Sequence, residues 1–174
     1  DLNRVLVAIY ALSGLTGSGL QGQGLRLLRQ LELLPSQNVD KTVPPEHDRR
    51  SMIAAALGRI VSMDLDSELL KVSAGALVNF INVFVGADRV LPRFAVSALT
   101  QVISALLEAN ALSSKDQELH ASLLSAAASL AQHVAATEPL HGRGVFSSKN
   151  LNFIACRLED GAVDVRLPAV GGVG

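Results

Sequence analysis

A single cysteine, Cys156, stands among the 174 residues of this chain. That scarcity excludes an internal disulfide and a cysteine-rich zinc site. Net charge is equally scarce: 15 Lys and Arg against 16 Asp and Glu leave a formal value of −1. Phosphate contacts need Lys and Arg gathered on one surface, so nucleic acid is not expected as a main partner. No unbroken apolar run reaches about 18 residues, and the sequence therefore predicts no membrane span. Asp1-Leu2-Asn3-Arg4 lacks both an initiator methionine and the charged, apolar and small-residue layout of a signal peptide. The expectation is a chain whose leader has been removed, or an interior piece of a longer one. There is no Asn-x-Ser/Thr sequon.

Apolar residues, by contrast, are plentiful. They make up 49% of the chain against 18% charged residues, which excludes an intrinsically disordered polymer. The length suits one domain of about 100–200 residues with a real core, or one domain and a fragment of another.

Along the chain, residues 2–13 are apolar with competing strand and helix patterns, and neither wins. A glycine-rich connection occupies 14–24. Residues 25–34 (LRLLRQLELL) place Leu27, Leu28, Leu31 and Leu34 on one helical face, and Pro35 stops them. The polar loop at 35–45 ends in two prolines, which cannot continue a helix.

Four further helices are predicted. The first, over about 46–63, carries Met52, Ile53, Ala56, Leu57, Ile60 and Val61 on its apolar stripe. The second, over about 67–85, follows Asp66 as N-cap and carries Leu69, Leu70, Ala76, Leu77, Phe80, Ile81 and Phe84. The third starts at Pro92 and stacks Ala95, Leu99, Val102, Ile103 and Leu106. The fourth is expected to start at Ser113 or Ser114, with Ser114 and Gln117 as a capping box. Its stripe is Leu119, Leu123, Leu124, Ala127, Leu130, Ala131 and Val134.

After Glu138-Pro139 the pattern changes. Residues 141–150 (HGRGVFSSKN) read as loop, 151–158 as a strand, Asp160-Gly161 as a turn and 163–167 as a second strand. The predicted fold is mainly α, a bundle of about five to six helices followed by a β-hairpin. Residues 1–139 form the helical subdomain. Residues 140–174 begin a β subdomain that is expected to be incomplete, because an isolated hairpin is marginal in water. No repeat at a 34- or 40-residue period is visible, which speaks against a repeat array.

Candidate chemistry is thin. Gly17-Ser18-Gly19-Leu20-Gln21-Gly22 formally matches a dinucleotide-binding G-x-G-x-x-G. However, residues 11–16 separate it from the preceding apolar segment, and Asp40, at the right distance for a ribose contact, lies in a polar loop. His120 and His133 lack the i, i+4 spacing of paired metal ligands, and His47 and His141 fall in loops. Asp64 and Asp66 read as capping residues, Glu159-Asp160 as a solvated turn, and Arg49-Arg50 is too short for a basic patch. Cys156 falls on the strand face opposite Phe153. No catalytic, cofactor-binding or metal-binding residue is assigned, and an enzyme is not expected.

The order of features resembles a known family. Arg49-Arg50 is followed by SMIAAALGRIVSMDLDSELLKVSAGALVNFI, then by VSALTQVISALLEANALSS, then by SLLSAAASLAQHVAATEPLHGRGVFSSKNLNFIACRLE. This is similar to the helical part of the REJ/GAIN region of polycystin-1-like proteins running into the first strands of its β-sandwich. In that family alanine- and leucine-rich helices end in a glutamate-proline loop, here Glu138-Pro139. A strand of asparagine, apolar, x, apolar with a later arginine follows, here Asn150 to Arg157. The resemblance covers about residues 46–167.

It implies a truncated β-sandwich at the C-terminal side and a non-catalytic extracellular module of a large membrane protein. Such a protein sits at the plasma or ciliary membrane. Its implied partners are the remainder of its own chain, a polycystin-type channel subunit or an extracellular ciliary structure, with no small-molecule substrate. The family's His-Leu-Thr or His-Leu-Ser cleavage motif does not occur here, so autoproteolysis is carried over to no residue. The alternative from another class is an intracellular HEAT- or armadillo-like helical adaptor.

Overall fold

The computed structural model describes residues 49–62, 67–86, 90–113, 116–157 and 163–166. Four α-helices come first: α1 (Arg49–Ser62), α2 (Ser67–Val85), α3 (Arg93–Ser113) and α4 (Gln117–Thr137). Three strands follow: β1 (Arg143–Ser147), β2 (Asn152–Arg157) and β3 (Val163–Arg166). They form one antiparallel sheet in the order β1-β2-β3. The mainly α architecture ending in an antiparallel hairpin therefore stands. The helix expected at 25–34 lies outside the described residues.

The elements stack in three layers. Helices α1 and α2 pack on α3, and α2 also packs on α4; the sheet lies across α4, with β1 reaching α3. The pair α3 and α4 is thus covered from two sides, and the sequence suits it to that position. On α3 the buried residues Ala95, Val96, Ala98, Leu99, Val102, Ile103, Leu106, Leu107 and Ala109 extend well beyond a single narrow stripe. The exposed residues described on α3 are Arg93, Phe94, Ser97, Gln101, Ala111 and Leu112. The segment Arg93–Leu112 is long and apolar enough to cross a membrane by length and composition, yet about two thirds of it (67%) is buried against its neighbours. Polar residues at 97, 100, 101 and 104 interrupt its apolar run.

On α4 seven residues are buried: Leu123, Ala126, Ala127, Leu130, Ala131, Val134 and Ala135. Four of them are alanines, whose small side chains let helices and sheet approach from both sides. The core is continuous from Ile53 and Leu57 on α1 through α3 and α4 to Phe146, Phe153 and Ala155 on the sheet.

Several local expectations are corrected. Residues 141–150 are not all loop, since β1 occupies Arg143–Ser147 with alternating exposed and buried residues. Gly144, with no side chain, hides that alternation in the sequence. The hairpin is accordingly a three-stranded sheet. Helix α4 does not start at Ser113, which ends α3, nor with a Ser114–Gln117 box, because Gln117 is its first residue. Its N-cap is Asp116, whose carboxylate accepts from the Glu118 N–H at 3.0 Å and the Leu119 N–H at 3.1 Å. An anionic cap also suits the positive end of the helix. Pro92 stands just before α3, where its carbonyl accepts from Ala95 and Val96, rather than inside the first turn.

Met52, expected on the α1 stripe, is exposed, whereas Ala54 is buried. Gly58 marks a close approach of α1 to α3. A Cβ built there would lie 2.8 Å from Ala98 Cβ and 3.0 Å from Ala98 Cα. Gly58 and Ala98 thus bring the two helices close together, and the large residues Ile53, Leu57 and Val61 of α1 are buried in the same core. Gly58→Val is therefore expected to destabilise the protein by about 1–3 kcal/mol in urea unfolding, through overpacking. Adding Ala98→Gly should recover part of that loss, and equal midpoints for the two variants would contradict the contact.

Candidate functional site

The described residues with a shared structural task gather where the sheet is fastened to the helices. Two turns do the fastening. The first is the turn between β1 and β2. Ser147 pairs with Asn152 in register, and the Ser148 N–H donates to the Leu151 carbonyl at 2.9 Å. The Ser148 hydroxyl donates to the same carbonyl at 2.7 Å. Leu151 is buried and anchors the turn in the core.

Asn150 then ties the turn to α3. Its backbone N–H donates to Ser104 Oγ at 2.9 Å. Its side-chain amide donates to the Ser104 carbonyl and to Glu108 Oε2, both at 3.2 Å. Lys149 Nζ meets Glu108 Oε1 at 2.5 Å. Helical spacing explains the alignment, since Thr100, Ser104 and Glu108 stand four residues apart and form one line down α3. Thr100 turns its hydroxyl back to the Val96 carbonyl at 2.8 Å, while Ser104 and Glu108 turn to the sheet. Lys149 holds the Glu108 carboxyl below its ordinary value, with the Asn150 amide adding to the effect and partial burial opposing it.

The second fastening follows α4. The Glu138 N–H caps the helix by donating to the Val134 carbonyl at 2.9 Å. A tight turn over Pro139, Leu140, His141 and Gly142 then closes with the Gly142 N–H on the Pro139 carbonyl at 2.7 Å. His141 takes φ 62°, the left-handed region that reverses the chain here, and its N–H donates to Arg157 on β2. Gly144 lies on the buried face of β1. A Cβ at that position would sit 2.9 Å from both Glu138 Oε1 and Val134 Cγ1, so only glycine lets the strand lie against the end of α4.

Between these points the inner face of the sheet is aromatic. Phe146 and Phe153 face each other in register with ring centroids 5.2 Å apart, and the Arg93 guanidinium lies 5.7 Å from the Phe146 centroid. A further polar tie closes the α3–α4 connection. The side chain of Asn110, 3% exposed, donates to the Asp116 carbonyl at 2.8 Å and accepts from the Asp116 N–H at 3.0 Å.

Of the residues with candidate chemistry, the structure describes Arg49, Arg50, His120, His133, His141 and Cys156. Gly17, Gly19, Gly22, Asp40, His47, Asp64, Asp66, Glu159 and Asp160 lie outside the described residues. His120 and His133 are half-buried on different sides of α4, and His141 is in the turn beyond it. Cys156 is half-buried on β2, on the face opposite Phe153 and in register with Arg143. Among the described residues no three His, Cys, Asp or Glu side chains are placed to hold a metal ion. Comparison with known proteins finds no protein-family model, no curated protein and no solved structure that matches this chain.

Two tests follow from the fastening on α3. Ser104→Ala strands the Asn150 N–H beside a helix, and should cost about 1–2 kcal/mol in urea unfolding. A change of less than a few tenths would show that the tie is replaced by water. The Glu108–Lys149 pair is exposed (37% and 74%), so its contribution at neutral pH is at most about 1 kcal/mol. Because the folded-state pKa of Glu108 is depressed, that contribution is present above the unfolded value of about 4.3 and is lost as pH falls through the folded value. The stability difference between wild type and Glu108→Gln should therefore narrow below about pH 4. A difference that stays constant from pH 7 to 3 would contradict the pairing.

Proposed function

We propose that this chain is a non-catalytic structural and interaction module from the extracellular region of a polycystin-1-like membrane protein, supporting assembly or anchoring at the cell or ciliary surface. On this reading the helices are the helical subdomain of a REJ/GAIN-type region. The three strands are the opening strands of its β-sandwich, and the segment at 25–34 adds a further helix to the four described. The partners are then the remainder of the parent chain and a polycystin-type channel subunit or an extracellular ciliary structure.

The observation that carries the reading is the fastening of sheet to helices. The residues on which the resemblance rests are the ones that make the junction. Glu138-Pro139 ends α4 and starts the turn into β1. Asn150, which opens the strand pattern, bonds to Ser104 and Glu108. Phe153 fills the shared core. A HEAT- or armadillo-like array has no place for a sheet built into the same core as its helices.

The test uses source cells treated with a membrane-impermeant amine reagent, followed by peptide mapping. Lys149, 74% exposed at its side chain, is the reporting residue. Labelling of intact cells, on a polypeptide far larger than 18.3 kDa, is the expected result. Labelling only after permeabilisation, or a native species of 18.3 kDa, would overturn the proposal and favour a free-standing adaptor.

A further inference from the structure

We draw no further inference here: the strongest candidate, the outer face of the β1–β2 pair with exposed Val145 and half-buried Ile154 and Cys156, is an apolar sheet face for which nothing in the structure shows what covers it.

Discussion

Two helices that must be covered on both sides govern this architecture. Helices α3 and α4 carry more apolar surface than one neighbouring layer can hide, so they are stable only between two layers. Helices α1 and α2 supply one cover and the sheet supplies the other. The alanines of α4 and the Gly58–Ala98 contact set how closely the layers approach. The sheet depends on the helices in turn, since three short strands with one aromatic face need a surface to lie on. Neither half of the described structure buries its apolar face without the other.

Polar residues decide where the sheet sits on that surface. Apolar contact alone has no preferred direction, and a sheet resting on a helix pair through Phe146 and Phe153 could slide or rotate. The Asn150 bonds to Ser104 and Glu108 fix one end, and the turn from Glu138 to Gly142 fixes the other. The individual bonds are modest in energy, but each breaks if the sheet moves by a fraction of a residue. Fixed geometry of this kind suits the structural module proposed above.

Much of this was legible in the sequence, and the rest failed for identifiable reasons. Residues 67–85 show a helix because a long apolar periodicity runs unbroken between polar flanks, and α2 covers those residues. The strand ending at Arg157 and its antiparallel partner at Val163–Arg166 also follow from alternation. Strand β1 is hidden in the sequence because its alternation includes Gly144, which reads as a turn former until the close approach of Val134 is known. Met52 is grouped by periodicity with Ile53, Ala56 and Leu57 but is exposed, and the close contact of α1 with α3 falls at a glycine, which carries no hydropathy signal. The line of Thr100, Ser104 and Glu108 was readable as a polar ridge at i, i+4 spacing on an apolar helix. Its meaning depends on Asn150, some 40 residues later, and no local pattern conveys that distance.

The most direct test of the account is native-state hydrogen exchange across a series of low denaturant concentrations. Helix α4 and strand β2 share one core, so the amides of Leu130, Phe153 and Ala155 are predicted to exchange through a single cooperative opening with the same free energy. If the β2 amides instead open at much lower free energy while α4 stays protected, the sheet is an appendage on an independent bundle. That result would contradict the claim that helices and sheet are one structure.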